Sequence, residues 1–158
     1  MSEIKFEIIS KSSQQTESIA NTIGKHLVGG EVIELSSELG GGKTTFTHGL
    51  ASAINSKDKV ASPTFTISRL YNGSKLDIYH FDFYRLTDPG LMTHELSDVL
   101  QNPKNVVVVE WGELMRNVLP KARLQIEFIY INDEQRKLLF TCSKSLSYLV
   151  GEYANTND

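Results

Sequence analysis

The sequence predicts an α/β domain of three layers with a mixed central sheet, and three observations carry that reading. Strand-like and helix-like stretches alternate at both ends of the chain. A hairpin signal, Asn72-Gly73, interrupts the middle. The run Val106-Val107-Val108-Val109 is continuous and β-branched, as in a strand covered on both faces. With 158 residues, 40% hydrophobic and 22% charged, the chain is expected to form one domain over residues 1–158 with a core of its own.

Residues 4–9 alternate apolar and polar, as a strand with one buried face does. Ser12 or Ser13 then offers a helix N-cap, and Gln15 is placed for a capping box. Ile19, Ala20, Ile23 and Leu27 form one helical face, which Gly29-Gly30 is expected to end. A strand over 31–36 leads into Gly40-Gly41-Gly42-Lys43-Thr44 and a helix over 43–54. Residues 57–62 read as a loop, and strands over 64–71 and 75–81 join at Asn72-Gly73. Thr87-Asp88-Pro89 starts a helix, since Pro is favoured at the first helical position. After the valine strand a short helix near 112–117 stops before Pro120. Strands over 123–131 and 136–142 flank a turn at 132–135, and a last helix or tail closes the chain.

Composition narrows the function. The formal net charge of −3 argues against a protein that holds nucleic acid by phosphate neutralisation alone. Arg116, Lys121, Arg123, Arg136 and Lys137 in the last third read as solvated charged surface rather than one basic face. The single cysteine, Cys142, excludes an intramolecular disulfide and a Cys-based zinc cluster, and its place in a strand marks a buried thiol. Met1-Ser2-Glu3-Ile4-Lys5 lacks the apolar core of a signal peptide, and no stretch approaches the ~18 apolar residues of a membrane span, so a cytoplasmic protein is expected.

The glycine loop carries the chemistry. A phosphate cradle needs backbone N–H groups converging on one anion, and residues without Cβ let the chain bend that closely. It must also open a helix, whose N-terminus supplies partial positive charge and free donors. Gly40, Gly41, Gly42, Lys43, Thr44 and Thr45 meet these needs between a strand and a helix. Lys43 is expected on the β- and γ-phosphates and Thr44 on magnesium. The fold is therefore P-loop NTPase-like, with ATP and magnesium as expected cofactors. Ser37 stands where the usual pattern has its first glycine, at the loop entrance.

Such a site needs an acid at the end of a strand beside the loop strand. Glu110, after the valine run, is favoured as the metal-side acid. Asp82 is either a second metal-water ligand or the residue that orients the attacking water. Ser62-Pro63-Thr64 is compatible equally with a switch segment that senses the γ-phosphate and with an ordinary turn. Arg85 suits an arginine finger or a surface position, and Trp111 a packed aromatic over the loop. No Asp is followed three residues later by Gly, and Asn55-Ser56-Lys57-Asp58 has the wrong order for guanine recognition, so ATP is preferred to GTP. A small-molecule kinase on the same fold is the competing reading, and the lack of a basic lid counts against it. A third is a nucleotide-gated binding module with negligible turnover.

Four linked motifs give the sequence a family resemblance. Residues 36–46 (SSELGGGKTTF), 60–67 (VASPTFTI), 79–86 (YHFDFYRL) and 109–111 (VEW) occur in the order and spacing of the bacterial TsaE (YjeE) ATPases. Their patterns are approximately G-[DE]-L-G-A-G-K-T-T, S-P-T-[FY]-T-[LI], Y-H-F-D-[LF]-Y-R-L and E-W. The resemblance covers about residues 12–142. It implies a weak ATPase that binds the TsaD–TsaB pair and drives its cycling during threonylcarbamoyl transfer to tRNA, with tRNA reached only through that complex. It also implies that residues 40–45 hold phosphates, Thr44 and Glu110 the magnesium, and that Lys43, Thr64 and Asp82 support hydrolysis. Nucleoside contacts would fall at Ser13-Gln14 and Gln135-Arg136. The sequence departs from the patterns at Ser37 for Gly, at Gly41 for Ala, and at residues 89–92 (PGLM) for an acidic helix start.

Overall fold

A computed structural model describes residues 2–38, 41–63 and 66–154. Seven strands form one sheet in the order β1-β7-β6-β2-β5-β4-β3. The inner four, β6 (Leu124–Tyr130), β2 (Val32–Ser37), β5 (Asn105–Glu110) and β4 (Asp77–Asp82), run parallel. The outer three, β1 (Glu3–Ser10), β7 (Arg136–Ser143) and β3 (Ser68–Asn72), pair antiparallel. The sheet is mixed, as the hairpin signals require.

Strand alternation sorts the core into two layers. Ile33, Leu35, Val106, Val108, Leu124, Ile126 and Phe128 face α1 (Ser13–Gly24) and α2 (Lys43–Ala53). Val32, Val107, Val109, Phe81 and Phe83 face α3 (Gly90–Gln101) through Leu96 and Val99. All six residues of β5 are buried, as a strand sandwiched between helices must be. Cys142 is buried too, and desolvation pushes its thiol up to about 11. It is therefore an inert thiol at neutral pH.

Several boundaries differ from expectation, each for a local reason. The first helix is capped by Ser12, whose hydroxyl accepts from Gln15 N–H at 3.1 Å. The Gln15 side chain reaches one residue further back than a capping box, to Lys11 N–H at 2.8 Å. That helix stops at Gly24, before Gly29-Gly30, because the Glu31 carboxylate gathers the N–H groups of Val28 and Gly29 into a separate turn. The strand expected from 64 starts only at Ser68. Thr66 and Ile67 both donate to the Pro63 carbonyl, and Ile67 takes φ 67°. The hairpin after Asn72 has four loop residues, since Asn72 still pairs with Asp77 while Ser74 N–H leans onto the Ile54 carbonyl of α2. Pro89 lies one residue outside α3, and Asp88 Oδ1 accepts from Gly90 N–H. The short helix is a 3-10 turn at Gly112–Met115, and the chain closes with a 3-10 turn at Lys144–Leu149 and α4 (Gly151–Ala154).

Among the described residues no helix is long and apolar enough to cross a membrane. Two of the last-third cations lie at opposite ends of the β6–β7 ladder. Arg123, at the start of β6, bonds Glu34 at 2.6 Å, whereas Arg136 sits at the other end of that ladder opposite Tyr130.

Candidate active site: a phosphate loop closed by buried acids

The parallel strands β2, β4 and β5 end together, and a cavity of about 950 Å³ opens beyond their C-terminal ends. That edge is where open α/β sheets bind ligands. The cavity floor includes Gly41 and Gly42 and the first turn of α2. Gly42 is the helix N-cap at φ 101°, a left-handed conformation that a side chain strains. The first intrahelical bond of α2 runs from Phe46 N–H to the Gly42 carbonyl. The N–H groups of Lys43, Thr44 and Thr45 therefore have no intrahelical acceptor, and they head the helix dipole at the cavity floor. The ring of Phe46 meets Phe128 edge-on at 5.7 Å and fixes the helix start against β6.

Ser37 and Gly41 explain one another. A Cβ on Gly41 would lie 2.5 Å from the Ser37 Cβ and closer still to its hydroxyl. The serine fills the space that an alanine at position 41 would need. The two departures from the usual pattern are thus one exchange, a glycine moved across a contact. Gly41→Ala alone is expected to lower the unfolding free energy by about 1–3 kcal/mol, the usual cost of overpacking. The double variant Ser37→Gly/Gly41→Ala should recover it, as thermal melts would show.

The acids stand opposite. Asp82 and Glu110 are register partners at the ends of β4 and β5, both buried. Phe83 N–H donates to the Glu110 carbonyl at 3.1 Å, and Asp82 Oδ1 accepts from Tyr84 N–H at 3.0 Å, which clasps the two strand ends. Glu110 Oε1 lies 3.4 Å from Lys43 Nζ, and Oε2 lies 2.7 Å from His80 Nε2. Burial pushes the Glu110 carboxyl up, but the hydrogen bond and charge of His80, with those of Lys43, outweigh it and hold the group below its usual value. The carboxylate is ionised at neutral pH.

Lys43 also lies 5.5 Å from the centroid of the Trp111 ring, which in turn meets Tyr84 at 5.0 Å. Trp111 holds φ 56°, ψ 51°, an unfavourable left-handed conformation for a bulky residue. That kink directly after Glu110 turns the indole back over the lysine.

Most expected site residues meet here. Ser13, Gln14, Gly41, Gly42, Lys43, Thr44, Thr45, Asp82, Glu110 and Arg136 all line the cavity, as do Arg85 and Trp111. Gly40 and Thr64 lie outside the described residues, although Ser62, two positions before Thr64, is in the wall. Gln135 does not line the cavity. Its carbonyl accepts from Ile131 and Asn132 within the hairpin turn, and its neighbours Asp133, Glu134 and Arg136 face the space instead. Tyr84 and the buried His80 were not legible as site residues. The signal for His80 was its place two residues before Asp82 on a strand, hence on the same face.

The arrangement suits a magnesium–triphosphate. Among the described residues no three His, Cys, Asp or Glu side chains converge as a cage. Magnesium bound to phosphates needs only one or two protein oxygens. The ionised Glu110, compensated by the Lys43 ammonium, is the donor that such a cation fits.

Comparison with known proteins identifies the family and the fold. The family model for TsaE, the threonylcarbamoyl adenosine biosynthesis protein, matches residues 10–138. The tRNA threonylcarbamoyladenosine biosynthesis protein TsaE of Bacillus subtilis is 36% identical over 142 residues, covering 89% of this chain and 87% of that protein. The TsaE protein of Treponema pallidum is 32% identical over 130 residues, 82% of this chain and 96% of its own. The crystal structure of Bacillus subtilis YdiB superposes with a TM-score of 0.77 at 29% identity, over 100% of this chain and 99% of that one. The chain belongs to the TsaE family and has that family's role in threonylcarbamoyladenosine biosynthesis of tRNA.

Proposed function

We propose that this chain binds ATP with magnesium in the cavity at the head of α2 and hydrolyses it, weakly alone and faster with partners. The hydrolysis drives cycling of the TsaD–TsaB pair during tRNA modification. The observation that carries the nucleotide reading is the meeting of Lys43, Glu110 and Asp82, from α2, β5 and β4, around a helix N-terminus with free N–H donors.

In this reading the N–H groups of residues 40–45 hold the phosphates, with Lys43 shifting its ammonium from Glu110 onto them. Thr44 and Glu110 hold the magnesium, which neutralises charge on the phosphate oxygens. Asp82, with its second oxygen directed by the Tyr84 N–H bond, orients a water for attack or holds a metal-bound water. Thr64, just beyond Ser62, senses the γ-phosphate. Ser13, Gln14 and Arg136, which line the cavity together with Ser12 and Thr16, would border the nucleoside.

The partner role rests on the family's place in the pathway and is tested by turnover. ATP hydrolysis by the chain alone should be slow and should rise at least several-fold when TsaD and TsaB are added together. Unchanged hydrolysis, with no complex on gel filtration, would contradict the role.

A further inference from the structure

His80 lies in β4 with no exposed surface, on the face it shares with Ile78 and Asp82. Burying an imidazole is costly unless its nitrogens are used. Nε2 is 2.7 Å from Glu110 Oε2, and because a carboxylate only accepts, that nitrogen carries a proton. Nδ1 lies 3.5 Å from the Tyr71 hydroxyl across the β3–β4 pair. Because that hydroxyl gives its one hydrogen to the Ala61 carbonyl, a hydrogen bond between it and the imidazole is donated by Nδ1. Tyr71 is itself buried. Its hydroxyl donates to the Ala61 carbonyl at 2.9 Å and accepts from Ala61 N–H at 3.4 Å. A continuous line of polar groups therefore runs from Glu110 through His80 and Tyr71 to Ala61, the residue before Ser62 in the cavity wall.

Resting on the nucleotide reading above, we propose that His80, braced by Tyr71, is a positioning residue that fixes the Glu110 carboxylate and couples it to the segment entering Ser62. Among the described residues Glu110 has two donors, and one of them, Lys43, is shared. A phosphate that draws the Lys43 ammonium away leaves the His80 bond as the contact that holds the carboxylate in place. Tyr71 keeps the imidazole from rotating and ties the loop after α2 to the same rigid line. A shift of that loop is then felt at the metal-side acid across two strands.

The test compares steady-state ATP turnover and magnesium-free ATP affinity in the full chain and three variants. His80→Leu removes the donor and should lower kcat about 100-fold, the scale of a 1 Å misplacement, with magnesium-free ATP affinity within about 2-fold of wild type. His80→Gln, whose amide nitrogen can occupy the Nε2 position, should recover most of that loss. Tyr71→Phe should lower kcat several-fold at unchanged affinity. A folded His80→Leu with wild-type kcat, or His80→Gln no better than His80→Leu, would overturn the proposal. If His80→Leu does not fold, Tyr71→Phe decides: reduced kcat at constant affinity supports the link, and wild-type kcat overturns it. A wild-type chain that neither binds nor hydrolyses ATP would instead overturn the nucleotide reading, and this link with it.

Discussion

Lys43→Ala is expected to lower ATP turnover about 10²–10³-fold, the scale seen when one preorganised donor to developing charge is removed. Lys43 is placed for this by three contacts of different kinds. Its backbone opens α2, its ammonium faces Glu110 at 3.4 Å, and its side chain passes beneath Trp111. The side chain is only 10% exposed, so the charge acts in a medium where it is worth more than in water. The variant should also bind ATP more weakly whether or not magnesium is present, because the proposed site puts the lysine on phosphate. Without the ammonium the Glu110 carboxylate keeps, among the described residues, only His80, so its carboxyl should titrate higher than in the wild type. Turnover and equilibrium titration of the folded variant check both effects.

Glu110→Gln is the second large effect, and it has a different signature. The shape is kept and the charge removed. Magnesium-free ATP should bind about as well as to wild type, while the gain from added magnesium should shrink 10–100-fold and turnover with it, as expected for weakened metal binding. The amide cannot satisfy both neighbours, since Lys43 and His80 are both donors toward it. A pH signature follows as well. The wild-type carboxyl titrates below its usual 4.5 in the folded state, so its ion pairs contribute stability that is present at neutral pH and lost as the pH falls through that lowered value. The neutral variant lacks that contribution, and its acid unfolding limb should be flatter.

Much of the site was legible because its parts are local. A β-branched run ending in Glu110 announces a buried strand with an acid at its end, and the register then puts Asp82 beside it. The glycine loop announces a turn into a helix, and Gly42 takes the left-handed conformation that such a turn needs. What stayed hidden depends on contacts between elements far apart in sequence. The exchange of Ser37 with Gly41 reads as two separate departures until the contact between them is seen. His80 reads as one more polar residue in a strand until Tyr71 and Glu110 converge on it from β3 and β5. The family resemblance puts a nucleoside contact at Gln135, but the Gln135 carbonyl closes the hairpin turn, and its neighbours Asp133, Glu134 and Arg136 line the cavity instead. The early stop of α1 at Gly24 follows from the Glu31 carboxylate, a tertiary partner that helical periodicity does not reveal.

The central claim is that the cavity over α2 is a magnesium–ATP site. Isothermal titration of ATP into the full chain, with magnesium and with EDTA, tests it most directly. The wild type should bind ATP, more tightly with magnesium; Lys43→Ala should bind weakly under both conditions; Glu110→Gln should lose the magnesium gain alone. No binding at millimolar ATP with magnesium, or binding that Lys43→Ala leaves unchanged, would contradict the account.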